Sequence, residues 1–198
     1  SYIKTSSRSL VRNKLFLTIN IFGLAISMTV GLILISMLSD IYSYDKFNKN
    51  YNSVYRVISR YEYLDRKDDD WNATTSLKAG KAIQESFTGY ENVSIIRGGF
   101  KGDVKYGETT VPVGGLYADP NIFKVFTFPL VEGNQETALK NPFSVVLTET
   151  TVRKLFGDKK ALGETVILNN DKEYTITGVV KDIPEFSHLH FEMLGSLS

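Results

Sequence analysis

Residues 15–39 read LFLTINIFGLAISMTVGLILISMLS, 25 positions without a charge, closed by Lys14 on one side and Asp40 on the other. At about 1.5 Å per residue, a helix of that length crosses a hydrocarbon core of roughly 30 Å with room for tilt. The stretch therefore predicts a transmembrane helix. The apolar core of a secretory signal peptide is shorter, about 7–15 residues, and ends in a small-x-small cleavage site that is missing here. The helix is expected to be retained.

Lys4, Arg8, Arg12 and Lys14 precede the span, and no acid does. Basic flanks stay on the cytoplasmic side. Residues 1–14 are then a cytoplasmic basic arm, and residues 40–198 lie outside. Within the span, Gly23, Ser27 and Gly31 recur every fourth position along one stripe, with Asn20 beside it. Small residues at this spacing let a second helix approach closely, and an intramembrane Asn seeks a hydrogen-bond partner. Asn20, Gly23, Ser27 and Gly31 are thus candidate helix-packing residues.

The exported part carries 19 Lys and Arg against 22 Asp and Glu, so nothing points to nucleic acid. The chain has no cysteine, which excludes disulfides, thiolate metal sites and thiol catalysis. Residues 40–52 place Tyr44, Phe47 and Tyr51 at helical spacing, predicting a helical stalk packed by those three rings, with Asp45 and Lys46 near its polar side. Residues 53–64 alternate as a strand, and 65–70 form a charged loop. Thr74 or Thr75 is expected to cap a helix reaching Phe87. Further elements are a strand over 92–97, a hairpin around Gly107-Glu108, and a helix start at Asp119-Pro120. The last third predicts a strand over 143–147 and a helix from the Thr148 cap to Phe156, stopped by Gly157. Strands over 164–168 and 173–180 follow, joined by Asn169 to Lys172, with a last strand over 190–194. Interleaving without a sustained β-α-β pattern indicates the α+β class.

Chemistry-bearing patterns are few. His188 and His190 would share a strand face with Glu192, but two histidines fall short of a zinc set. Asp68 to Asp70 lack the glycine and the spaced acid of a calcium loop. Gly98-Gly99 and Gly114-Gly115 match no phosphate-binding loop, and no G-x-S-x-G elbow occurs. The residues indicate no enzyme, no catalytic or metal site and no cofactor. A binding, sensing or force-transmitting module remains. Residues 50–198 are expected to fold alone without metal.

The order of features resembles the N-terminal section of an ABC-transporter permease of the FtsX/MacB type. The resemblance rests on Arg12 to Phe16, Ile19 to Ile26, Tyr44-Asp45-Lys46-Phe47 and Val54 to Val57. It continues through Ala118 to Phe123, Phe126, Phe128-Pro129-Leu130 and Gly133. Val145 to Thr148, Leu155-Phe156-Gly157, Leu162-Gly163 and Tyr174 to Val180 close it. Residues 64–110 carry little of it.

This resemblance implies a two-lobed extracytoplasmic α+β core domain of the MacB periplasmic type over 53–198, with an inserted lobe at roughly 90–140. It implies a non-catalytic permease subunit in the bacterial inner membrane that works as a dimer with a cytoplasmic ABC ATPase subunit. Its periplasmic domain would couple ATP hydrolysis to export or to mechanical work in the envelope, in contact with lipid and with periplasmic or outer-membrane partners. The alternative is the extracytoplasmic sensor domain of a membrane-anchored receptor. A third reading is an anchored structural module. The number of spans after Ser198 discriminates among the three.

Replacing both Gly23 and Gly31 by Leu is expected to disrupt assembly of the full-length protein, because bulk on the stripe separates the helix backbones. Cross-linking yield in membranes measures this, and unchanged assembly refutes the stripe as a contact.

Overall fold

The computed structural model describes residues 14–61 and 70–198. They divide into two compact units, one ending at Tyr44 and one running from Asp45 to Ser198.

The first unit is dominated by helix α1, Lys14–Ser43, with no buried residue. An 18-residue window of it has mean hydropathy 2.4, and the helix is long and apolar enough to cross a membrane. The hydroxyls of Thr18, Ser27 and Thr29 each donate to the carbonyl four residues back, at 2.8 Å. Polar side chains on an apolar helix are thereby satisfied within the helix itself.

The expected helical stalk over 40–52 does not form beyond the first turn. The helix stops at Ser43, and residues 44–53 run through turns. Asp45 adopts φ 54°, a left-handed conformation. Its N–H donates to the Phe186 carbonyl at 2.9 Å, so it is not given to a helical carbonyl four residues back. Helical spacing of the aromatics is outweighed here by hydrogen bonds to a segment distant in sequence.

In the second unit, α+β is the class observed. Strands β1 (Ser59–Tyr61) and β2 (Asp70–Asn72) pair as a short antiparallel ribbon. The strand expected over 53–64 is thus observed from Ser59 to Tyr61, and its end, with charged-loop residues 65–69, lies outside the described residues. Helix α2 (Leu77–Ser86) is capped by Ser76, whose hydroxyl accepts from Ala79 N; neither Thr74 nor Thr75 supplies the cap.

The remaining strands are β3 (Ile96–Tyr106), β4 (Thr109–Ala118), β5 (Leu130–Gly133), β6 (Ser144–Thr148), β7 (Thr165–Leu168), β8 (Lys172–Val180) and β9 (Met193–Ser196). They form one seven-stranded sheet in the order β5-β8-β6-β9-β4-β3-β7, and β7 pairs back onto β8. That last pairing closes a six-stranded ring, with β5 hydrogen-bonded outside it to the distal half of β8.

The inserted lobe expected at 90–140 is not a separate body, because β3, β4 and β5 are members of this sheet. What stands outside the sheet is earlier, the β1–β2 ribbon and α2. Long strands broken by glycine pairs account for the error. Gly98-Gly99 bulge β3 between Arg97 and Phe100, while Gly115 presents its α-carbon where a Cβ would lie 2.3 Å from the Met193 carbonyl oxygen. The glycines let the sheet curl and let backbones approach.

Strand β6 is buried along its whole length. Val145 and Leu147 point into one apolar cluster, and Val146 into another. All six ring strands contribute to the first cluster, which also takes Leu155 and Phe156 from helix α4 (Glu149–Phe156). The second cluster is covered by helix α3 (Ile122–Val125), Phe128, Leu139 and Phe191. Thr148 caps α4 and Gly157 ends it at φ 62°, as the sequence predicts. Asp119 does not serve as the side-chain cap expected of it. Its carboxylate accepts from Gln84 Nε2 at 2.6 Å and Ser94 Oγ at 2.8 Å, tying α2 to the end of β4. The final strand lies at 193–196, three residues later than expected.

Candidate functional site

The candidate site is the knot that begins two residues after the end of α1. Asp45 is its centre. The Asp45 N–H reaches Phe186 O, and its Oδ1 accepts from Ser187 Oγ at 3.2 Å and from His188 N at 3.1 Å. Oδ2 lies 2.6 Å from His188 Nδ1, a hydrogen-bonded ion pair when the imidazole is protonated. The left-handed backbone suits Asp, whose short side chain folds back towards local donors. Burial alone would push this carboxyl up. The bonds from the His188 side chain and backbone, the His188 charge and the Ser187 hydroxyl outweigh it and hold Asp45 below its ordinary 3.8.

A second stitch follows three residues on. Asn48 is 2% exposed, and its Oδ1 accepts from Thr127 N at 3.1 Å and Thr127 Oγ1 at 3.0 Å. Lys49 N donates to the same Thr127 hydroxyl at 3.1 Å. Between the stitches, Phe47 packs on the second core cluster with its ring centroid 6.0 Å from that of Phe128. The ten-residue turn region 44–53 is thus fixed at 127–128 and at 186–188, segments far apart in sequence.

Of the expected stalk-coupling residues, Phe47 enters the core, Tyr51 is exposed, and Tyr44 is the last residue of the first unit. Asn20, Gly23 and Ser27 lie exposed on α1, with Gly31 intermediate. No atom lies within 4 Å of a Cβ built on Gly23 or Gly31, so the stripe has room for a partner backbone. Asp45, Asn48, Thr127 and Ser187 carry the site; the sequence placed Asp45 only on the polar side of a stalk and in the Tyr44–Phe47 stretch, and did not single out Asn48, Thr127 or Ser187. A further signal was the His188-Leu189-His190 triplet, read for metal. His188 serves Asp45 instead, and His190 lines an open groove of about 610 Å³ with Asp182 and Glu192. No group of three metal-ligating side chains occurs among the described residues.

The acids of that groove are engaged. Glu192 accepts from Gly114 N at 3.0 Å and pairs with Lys154 Nζ at 3.2 Å. Asp182 takes the N–H and hydroxyl of Thr150, bracing the start of α4. Burial raises the Asp182 carboxyl, but the Thr150 bonds, the Arg153 charge and Thr148 outweigh it and keep it below 3.8. A carboxylate so held is a poor general acid at neutral pH. Tyr174 is pushed up to about 12 by burial, then by its bond to Tyr117 and the charges nearby, and stays protonated.

Fold and junction together define an α+β domain carried on a membrane-length helix. The family of MacB-like periplasmic core domains matches over residues 17–195, and the chain belongs to it. It is the domain of ABC-transporter permease-type proteins. Among solved structures it is similar to a domain from a Porphyromonas gingivalis protein described as a permease, at 27% identity and TM-score 0.51, covering 60% of this chain and 55% of that one. It is also similar to the periplasmic region of MacB from Actinobacillus actinomycetemcomitans, at 20% identity and TM-score 0.48, covering 62% and 56%. A third is the extracellular domain of the noncanonical ABC-type transporter YknZ from Gram-positive bacteria, at 15% and 0.42, covering 52% and 53%. The alignments span little more than half the length of these chains. No curated protein matches.

Asn48→Ala leaves the part-buried Thr127 N–H without its acceptor and is expected to cost about 1–3 kcal/mol. Urea unfolding of the fragment 45–198 checks this. Because the Asp45 pKa is lowered on folding, its stabilisation is complete above the unfolded value near 3.8 and is lost as pH falls through the lower folded value. Asp45→Asn should therefore lower stability at neutral pH and flatten its decline below pH 3.8. Parallel acid limbs for variant and wild type would remove Asp45 from that role.

Proposed function

We propose that this chain is the first membrane helix and extracytoplasmic core domain of a non-catalytic ABC-transporter permease subunit. It sits in the bacterial inner membrane with residues 40–198 in the periplasm. The permease works as a dimer, packed in part through Asn20, Gly23, Ser27 and Gly31. A cytoplasmic ATPase subunit hydrolyses ATP, and the domain turns the resulting helix movement into export or mechanical work outside.

One observation carries this reading. Only Tyr44 separates the end of α1 at Ser43 from Asp45, which is already locked to Phe186, Ser187 and His188. A flexible Gly/Ser segment at this point would absorb displacement as random-coil motion. A single-residue connection followed by two stitches passes displacement on to β-sheet-supported segments. The role assigned to a rigid helical stalk falls instead to this knot. Membership of the family supports the permease context. Periplasmic placement is supported by the basic arm, Lys4 to Lys14, on the other side of the span.

Inserting three glycines after Tyr44 leaves both units intact and loosens only their connection. In the full complex, ATPase activity is expected to survive while transport or resistance output is lost. Paired assays on the insertion variant measure both. Intact output would make the junction a passive tether and favour the sensor reading.

A further inference from the structure

We infer that the open groove beside Gly114 is a docking slot for an extended segment of a partner protein, with an acidic side chain of that segment held by Lys101 and His190. The groove lies wholly within the second unit, so its chemistry is independent of α1.

The fold supplies no reason for glycine at position 114. Its φ lies outside the left-handed region, and a Cβ built there would meet only Glu192 Oε2, at 3.9 Å, an ordinary contact. Its neighbours in the groove differ. At Gly115 a Cβ would collide with the Met193 carbonyl oxygen, and Gly99 takes a φ of 92° that favours glycine. Glycine weakens a strand interior, and there it often marks the close approach of a ligand or of another backbone. Within the domain only the Glu192 carboxylate comes near. The remaining space is the groove of about 610 Å³ that Gly114 lines.

The charges of the groove leave one cation unmatched. Lys101 stands directly opposite Gly114 in the β3–β4 pair, so the two share a face of the sheet. Lys101 and His190 both line the groove and are exposed, and neither has a hydrogen-bond or ion-pair partner among the described residues. The two acids are committed. Glu192 is bound by Gly114 N and Lys154 Nζ, and Asp182 by the N–H and hydroxyl of Thr150. Lys154 balances the charge of Glu192 and Arg153 that of Asp182, which leaves Lys101 over. A carboxylate is the complement of that cation and of an imidazole with a free ring nitrogen.

A small anion would use Lys101 and His190 alone. An extended peptide uses the whole groove. Its acid meets the two donors, and its main chain passes over Gly114, where any side chain would hold it off. An aliphatic side chain two positions along, on the same face of the segment, covers the half-buried Ile183.

The test uses the full chain in detergent micelles, isotope-labelled at glycine and histidine nitrogen for magnetic resonance. It is titrated with acetylated, amidated hexapeptides that carry Asp at the third position and Val, Thr or Ser elsewhere. The expected result is a saturable shift of the Gly114 and His190 signals, absent when Asp is replaced by Asn and absent with acetate alone. Lys101→Met should weaken binding at least about tenfold, the loss of one charge-assisted hydrogen bond, and Lys101→Arg should restore most of it. Gly114→Ala should abolish the peptide-induced shift at His190, while unchanged Gly115 and Gly195 signals show that the sheet is kept. An equal response to acetate makes the groove a simple anion site and overturns peptide docking. Equal binding of the Asn peptides overturns the role of the carboxylate. Binding unchanged in Gly114→Ala, or no saturable shift with any of the Asp peptides, overturns the inference outright.

Discussion

The structure of the domain depends on strand β8. Its first half pairs with β7 and its second half with β5 on one side, while β6 runs parallel along the other. Strand β7 pairs with the first half of this nine-residue strand and also with β3 at the other end of the sheet, which a flat sheet cannot supply. The sheet therefore curls until β7 meets both β3 and β8. Gly178 sits at the crossing, where a Cβ would come 3.3 Å from the Glu132 carbonyl oxygen and from a Val146 methyl. Closure removes free edges from six strands and surrounds the first apolar cluster on all sides. The second cluster then forms on the outer face, and it is there that Phe47 is received.

That arrangement fits the mechanical role proposed for the domain. Segments 127–128 and 186–188, which grip the chain after the membrane helix, are each joined to the sheet within a few residues. Phe128 precedes β5 and stacks edge-on with Phe191 at 5.2 Å, just before β9. A pull on Asp45 or Asn48 is thus received by two sheet connections at once.

The sequence made the membrane-length apolar helix, the α+β class and the last third legible because each depends on local rules. An uncharged run of 25 residues, the Thr148 cap and the Gly157 stop are decided within a few positions. The Gly107-Glu108 hairpin is of the same kind. Helix continuation past Ser43 was misread because Asp45 is turned out of the helix by bonds to His188, 143 positions away, and Phe47 packs near Phe128, neither of which its local spacing records. The lobe boundary was misread because pairing of β3 with β7 and of β4 with β9 leaves no mark in either strand alone. Asn48 and Thr127 meet across 79 positions, and a single sequence does not record that distance.

Strand β9 lies in the middle of the sheet, between β6 and β4, although it is the last strand in the chain. Met193 fills the enclosed cluster and Leu194 the outer one. During synthesis the β3–β4 hairpin and the β6-α4-β7-β8 segment emerge before the strand that joins them. The closed ring cannot form until residues 193–196 are available to pair with β4 and β6. Closure of the sheet is thus timed by the arrival of its central strand. The unpaired inner edges of β4 and β6 make the chain that still lacks β9 the form most in need of a holding chaperone.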